Sequence, residues 1–251
     1  MTVARDNIER TAPAPAPASE KGKGKEKTKG SKRRRLFYWL LIDLTVAVVI
    51  LALLLYKPAR YNPVIRVLTG ANGERVHPYL SHDLGPQLYN GAQSRRPFNL
   101  VVLDRALNEA IAQFRWPRET GGIVFAAPTV LFHPGRIVLM GTADIEKAEF
   151  VITVELEPKL DDEGRLDLNV AKVEVGAVPI TLLAKMMARR MYQERLETVP
   201  VDTEDIRAKV AASLLAGESF EPVFKVDDKW VRLKDFSIAQ GKLEAEMVPA
   251  R

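Results

Sequence analysis

The feature that most constrains this chain is an apolar run near its amino terminus, residues 36–56. The run contains 21 residues and a single charged one, Asp43. At about 1.5 Å per residue, a helix of this length spans roughly 31 Å, which matches the hydrocarbon thickness of a bilayer. Aromatic residues stand at both ends of the run, where membrane interfaces favour them. The sequence therefore predicts one membrane-spanning helix over residues 36–56.

The charges on the two sides of this run predict its orientation. Residues 17–35 carry nine Lys and Arg, whereas residues 57–76 carry four. Cytoplasmic flanks are the ones that retain basic residues, so the amino terminus is expected inside. The run is longer than the apolar part of a signal peptide and lacks a small-x-small cleavage site after it. We expect an uncleaved, single-pass protein of the inner (cytoplasmic) membrane, with its C-terminal domain outside the cytoplasm.

Residues 1–35 are predicted to form a disordered, basic cytoplasmic tail. They carry eleven basic residues against four acidic ones, and residues 11–31 include no aromatic or branched apolar side chain. Anionic lipid headgroups are the expected partner of the basic residues nearest the span, at about 1 kcal/mol each: Lys32, Arg33, Arg34 and Arg35. Nucleic acid is not an expected partner, because the rest of the chain is close to neutral.

Asp43 lies inside the predicted span and leaves two alternatives open. A carboxylate in the hydrocarbon region is costly, so Asp43 is a candidate contact for a membrane partner. It is also near enough to the cytoplasmic end for its side chain to reach the surface.

The remainder of the chain is predicted to be a linker, residues 57–96, and one extracytoplasmic domain, residues 97–251. Pro, Gly and Asn are frequent in the linker, and regular apolar patterning begins after it. Predicted helices begin at Asp104, Pro179 and Asp202, the first and last of these being caps. Apolar alternation predicts strands at 98–103, 129–132, 137–145, 149–159, 165–178, 230–238 and 242–248. The expected fold class is α+β, with a long curved antiparallel sheet packed on one or two helices.

The strand over 149–159 has the clearest alternation. Phe150, Ile152, Val154 and Leu156 share one side and are predicted to face the core. In the returning strand the apolar residues change phase near Ala171, which predicts a β-bulge there. The helix after Pro179 is expected to lie across the apolar side of 149–159, with these residues turned inward: Leu183, Met187 and Met191.

Catalytic and metal-binding patterns are weak throughout. The chain has no cysteine and three scattered histidines, of which His77 and His82 are five apart and so do not share a helical face. The acidic group at 161–163 is typical of a solvated hairpin turn and lacks the spacing of a calcium loop. We expect no enzyme, no cofactor and no metal site.

Three segments together resemble a known family. They are FNLVVLDRALNEAIAQF, FVITVELEPKLDDEGRLDLNVAKVEVGAVPITLLAKMM and VRLKDFSIAQGKLEAEM. They resemble the small bacterial tubular-lipid-binding (TULIP)-like envelope proteins of the YpmS and LmeA kind, over residues 97–249. This resemblance implies a curled sheet wrapped around a helix, with a lipid or other hydrophobic ligand held between them. The matching ligand-lining positions would be Phe150, Ile152, Val154, Leu156, Leu182, Leu183, Met186 and Met187.

Two alternatives follow for the outer domain. A Met and Leu stripe facing a sheet is ordinarily packed core, in which case no ligand is needed. The chain would then be a non-enzymatic scaffold or assembly subunit of an envelope membrane complex, contacting protein partners. A continuous apolar cavity would favour lipid binding, and a filled core with an exposed apolar patch would favour the assembly subunit.

Overall fold

The computed structural model describes residues 29–63, 78–113, 116–120, 123–126, 128–145, 148–198 and 205–250, with backbone only for 29–33 and 195–198. The α-helices are α1 (Lys29–Leu54), α2 (Gly85–Ser94), α3 (Asp104–Ile111), α4 (Thr181–Thr198) and α5 (Ile206–Ala216). The strands are β1 (Phe98–Leu103), β2 (Arg118–Thr120), β3 (Ile123–Phe125), β4 (Thr129–His133), β5 (Arg136–Ile145), β6 (Ala148–Leu160), β7 (Leu166–Val175), β8 (Val178–Pro179), β9 (Val223–Val226), β10 (Lys229–Ala239) and β11 (Lys242–Ala250). Helices and antiparallel sheets occur side by side, which confirms the α+β class.

Helix α1 contains the predicted span. Within the described residues, Arg34–Leu54 is the one helical segment long and apolar enough to cross a membrane. The helix begins at Lys29, so the prediction of disorder is wrong for residues 29–35; Lys and Arg have high helix propensity and let the helix extend beyond the apolar run. Residues 1–28 lie outside the described residues. The chain divides into two compact units, Met1–Thr45 and Val46–Arg251.

A four-stranded sheet has the order β1-β11-β10-β9. Helix α2, preceded by a π-helical segment Tyr79–Leu84, packs on it and buries Ala92 against Val231 and Met247. Gly91 allows this approach, because a Cβ there would overlap the Phe98 ring. Residues 78–96, which were predicted to be linker, are therefore part of the domain. Residues 64–77 lie outside the described residues.

A seven-stranded antiparallel sheet has the order β2-β3-β5-β6-β7-β8, and β4 also pairs with β5. Its centre is formed by the long strands β5, β6 and β7. Glu155 pairs with Lys172 and Leu156 with Val170, which leaves Ala171 as an extra residue and confirms the predicted bulge. The predicted hairpin 129–145 is confirmed, as is the pairing of 149–159 with the strand that follows it. The predicted strand 165–178 instead ends at Val175, where Gly176 and Ala177 turn the chain back into β8.

Helix α3 joins the two sheets. The Asn108 side chain donates to the Val130 carbonyl and accepts from the Val130 N–H, each at 2.7 Å. Asp104 accepts from the Phe132 N–H at 3.2 Å instead of capping α3, so its predicted role as a cap is wrong. Both side chains occupy the edge of β4, where backbone groups would otherwise lack partners.

The starts of the last two helices differ from prediction. Pro179 belongs to β8, and α4 begins two residues later, at Thr181. Asp205 caps α5 by accepting from the Arg207 N–H at 3.0 Å, while the predicted cap, Asp202, lies outside the described residues. Gly217 ends α5 in the left-handed conformation, as predicted.

Candidate functional site

The two sides of the seven-stranded sheet differ in chemistry. Directly paired residues of antiparallel strands share a side, so the register assigns each residue of β5, β6 and β7. One side, which we call the apolar face, consists of Ile137, Leu139, Gly141, Ala143, Phe150, Ile152, Val154, Leu156, Pro158, Leu168, Val170, Val173 and Val175. The other side, the ionic face, includes Val138, Met140, Val151, Thr153, Glu155, Glu157, Lys172 and Glu174.

Burial on β6 is the reverse of the prediction. On the ionic face, Val151 and Thr153 are 3% and 1% exposed and Glu155 is also buried. Of the β6 residues on the apolar face, Phe150, Ile152 and Val154 are partly exposed and Leu156 is buried, and on the neighbouring strands Ala143 and Val173 of the same face are buried as well. The predicted core side of β6 is therefore its more accessible side, because the segment that follows α1 covers the other one.

That segment is Lys57–Tyr61, which we call the strap. Tyr61 is buried in a cluster with Val138, Met140 and Val151 on the ionic face. Lys57 forms an ion pair with Glu149 at 3.3 Å, and Arg60 forms one with Glu155 at 3.2 Å. Burial raises the pKa of the Tyr61 phenol, opposed by its hydrogen bond with Thr142. The strap was predicted to be linker, and it instead packs on the sheet.

Glu155 can be buried because two cations reach it. Arg136 lies 3.5 Å from one carboxylate oxygen and Arg60 lies 3.2 Å from the other. Arg60 also approaches Glu174 at 3.9 Å. A buried carboxylate without such partners would be strongly destabilising, so this cluster fixes the strap to the ionic face.

Helices α4 and α5 lie at the free edge of β7. The Thr181 hydroxyl of α4 accepts from the Val173 N–H at 2.9 Å, and the Ser213 hydroxyl of α5 accepts from the Leu168 N–H at 2.9 Å. These bonds satisfy donors that an edge strand leaves open. Helix α4 therefore follows the edge of the sheet, and it does not lie across β6 as predicted.

The apolar stripe of α4 points away from β7. Leu182 is 76% exposed, and Leu183, Met186, Met187 and Met191 are between 51% and 65% exposed. The prediction that Leu183, Met187 and Met191 turn inward is wrong. Thr181, Ala184 and Ala188 occupy the inner side, since small residues allow the helix to approach the strand closely. The eight predicted lining residues thus form two groups, one on the apolar face and one on exposed α4.

The end of α1 is held by the turn between β7 and β8. The Ala177 N–H donates to the Leu53 carbonyl at 2.8 Å. Gly176 has a φ of +61°, and a Cβ there would lie closer than 3.0 Å to the carbonyl oxygens of Leu53 and Leu54. Glycine is therefore required at this contact.

The other predicted positions are exposed or lie beyond the described side chains. Asp43, Arg34 and Arg35 are exposed on α1, and Lys32 and Arg33 have only their backbone described. Asp161 accepts from the backbone N–H groups of Glu163 and Arg165 and from the Arg165 side chain, which confirms the hairpin turn. Those bonds, with the Arg165 backbone N–H foremost, lower the pKa of the Asp161 carboxyl.

Among the described residues, no group of three or more His, Asp or Glu side chains is arranged to hold a metal ion. His77 lies outside the described residues, and His82 is exposed. His133 approaches the Gln240 side chain, with Nδ1 3.0 Å from Oε1.

Sequence patterns missed two residues that attach the domain to α1, Arg60 and Gly176. Glu155 was a signal for the first, because a carboxylate in the middle of a long strand needs a cation if that side is covered. The signal for the second was a glycine between a strand and Pro179, which indicates a turn but not what the turn contacts.

No protein-family model matches this chain, and a search of curated proteins finds no significant match.

Proposed function

We propose that this chain is a single-pass membrane protein whose outer domain binds a lipid or other hydrophobic ligand on the apolar face. The observation that carries the proposal is the partial exposure of Phe150, Ile152 and Val154 in the middle of a large sheet. Central strand residues of this kind are ordinarily buried. A contiguous apolar surface that stays accessible is typical of a binding site.

The energetics favour an acyl chain as the occupant. Each buried methylene contributes about 0.8 kcal/mol, so roughly 12 methylenes on this surface would contribute on the order of 10 kcal/mol before ordering costs. The apolar face offers aliphatic side chains with no charged group among them, whereas the ionic face carries Glu155, Lys172 and Glu174. A ligand with a long aliphatic part therefore suits the apolar face better than a polar small molecule does.

Membrane attachment supports the same function. Helix α1 supplies a segment of 21 residues with the length and hydropathy of a membrane span. The basic residues before it favour an amino terminus in the cytoplasm and a domain outside. A hydrophobic ligand would then be taken from, or returned to, the bilayer beside the domain.

A photoactivatable phospholipid tests the proposal in the full-length protein. Vesicles would contain the protein and a phosphatidylcholine with a diazirine in its acyl chain, and peptides carrying lipid adducts would be identified by mass spectrometry. We expect adducts on peptides from β5, β6 and β7 in addition to α1, which serves as the internal reference. Adducts on α1 alone would contradict ligand binding and favour the assembly subunit.

A matched pair of variants separates ligand binding from stability. Phe150 lies on the apolar face and Phe224 lies in β9 of the other sheet, and both are partly exposed. Phe150→Asn should lower the adducts on β5 to β7, because a polar amide disfavours the acyl chain. Phe224→Asn should leave those adducts unchanged.

A further inference from the structure

Within the described part of the chain, the outer side of α4 is an apolar surface that no other element covers. Its apolar part spans half of the helix circumference, at about 100° per residue, and comprises Leu182, Leu183, Met186, Met187 and Met191. Arg189, Arg190 and Glu194 are also exposed, and Arg190 pairs with Glu194 at 2.8 Å, whereas Lys185 is partly buried on the side of Ala184 and Ala188. Long basic side chains next to an apolar stripe are typical of helices that lie in a membrane interface.

The start of α4 is close to the end of α1. Ala177 bonds directly to Leu53, and only three residues separate Ala177 from Thr181. A chain extends at most about 3.6 Å per residue, so the start of α4 lies within roughly 15 Å of that bond. The headgroup region on each side of a bilayer is about 5 to 8 Å thick, so this upper bound is roughly twice its thickness and permits α4 to begin inside it.

The contact at Gly176 keeps this distance short. A flexible connection would let the domain move away from the span, whereas the Ala177 bond and the ion pairs of the strap attach the domain within eight residues of Leu53. These contacts therefore limit how far the first turn of α4 can move from the end of α1.

We propose that the exposed stripe of α4 inserts into the outer surface of the same bilayer that α1 spans. Leu182, Leu183 and the methionines enter the boundary between headgroups and acyl chains. Arg189 extends to anionic headgroups, as long basic side chains do at interfaces. This proposal rests on the membrane span of the proposed function, and it does not require a ligand on the apolar face.

The absence of cysteine from the chain makes site-specific labelling direct. Full-length Met186→Cys and Met187→Cys variants would carry a nitrobenzoxadiazole fluorophore, in vesicles of phosphatidylcholine and phosphatidylglycerol. We expect a blue-shifted emission that loses most of its intensity when the vesicles contain a phospholipid spin-labelled near the headgroup. The control is Trp230→Cys, because Trp230 is also exposed but lies on β10 of the other sheet. Its label should stay unshifted and unquenched.

Other outcomes would overturn the proposal. An unshifted, unquenched label at Met186 and Met187 would show a stripe in water, available for a protein partner. A blue shift without lipid quenching, increasing with the protein-to-lipid ratio, would show that a second copy covers the stripe. Replacing phosphatidylglycerol by phosphatidylcholine should weaken the quenching, and an equal loss in Arg189→Gln would attribute that effect to the helix charge.

Two measurements separate this proposal from the proposed function. A label at Phe150→Cys reports the apolar face, so quenching there without quenching at Met186 would support ligand binding and overturn insertion of α4. Release of the full-length protein from vesicles by alkaline carbonate would contradict the span itself, on which both proposals depend.

Discussion

Gly176→Ala tests whether the domain is fixed to the end of α1. Gly176 combines a φ of +61° with a close approach to the carbonyl groups of Leu53 and Leu54. Alanine would add a Cβ that those carbonyls leave no room for, so the turn between β7 and β8 must move away. The hydrogen bond from Ala177 to Leu53 would then lengthen or break.

Gly164→Ala is the matched control. Gly164 also has a positive φ, +74°, but nothing lies within 4 Å of its Cβ position. Both variants share the cost of a left-handed alanine, about 1 to 2 kcal/mol. Gly176→Ala carries in addition the loss of one hydrogen bond, about 0.5 to 1.5 kcal/mol, and the displacement of the turn. We expect Gly176→Ala to lower the free energy of unfolding by roughly 1 kcal/mol more than Gly164→Ala does.

Two readouts are needed, because stability alone does not locate the change. Urea unfolding of the full-length protein in detergent, followed by near-ultraviolet circular dichroism, gives the two free energies. Hydrogen exchange followed by mass spectrometry reports the amide of Ala177, which should exchange faster in Gly176→Ala and normally in Gly164→Ala. Equal losses of free energy with unchanged exchange at Ala177 would refute the proposed attachment.

Three further predictions follow from the faces, the charges and the span. Val151→Phe should cost about 1 to 3 kcal/mol in urea unfolding because its site is filled, whereas Val154→Phe on the apolar face should cost much less; equal costs would mean that both faces are packed. The hydrogen bonds of the turn lower the pKa of the Asp161 carboxyl. The stability that they contribute is therefore complete above the unfolded pKa of about 3.9 and is lost as pH falls through the lower pKa of the folded state. Asp161→Asn should abolish this acid dependence when thermal unfolding is measured over a series of pH values. A reporter enzyme that functions only outside the cytoplasm should be active when fused after Arg251, and activity confined to cytoplasmic reporters would reverse the topology.

Local patterns predicted elements better than they predicted contacts. The bulge at Ala171 was predictable because the phase of the apolar residues changes within the strand itself. The strand β6 was predictable for the same reason, since alternation is a property of neighbouring residues. Its accessible side was not predictable, because the cover on Val151 and Thr153 comes from Tyr61 and Arg60, about 90 residues earlier.

Helix α4 illustrates a second limit. Its sequence has a stripe of long apolar residues and a stripe of small ones, and the periodicity identifies both without ranking them. The rule that apolar residues turn inward selects Leu183 and Met187, whereas close packing on the edge of β7 selects Ala184 and Ala188. The rule assumes that water is the only surroundings, and it would fail for α4 if, as proposed, a bilayer covers its outer side.

The contacts that attach the domain to the end of α1 bear on two surfaces, the apolar face and the outer side of α4. The strap covers the ionic face, and the contact of Ala177 with Leu53 holds the edge of β7, so both constraints act within a few residues of the end of α1. Among the described residues, the accessible apolar surfaces include the outer side of α4 and part of the apolar face. A domain free in water would be at risk of aggregation with such surfaces. If α1 spans a bilayer as proposed, α4 begins within about 15 Å of the end of that span, so the bilayer could cover the stripe and supply an acyl chain to the apolar face. The contacts that order the strap would then set where lipid meets the domain.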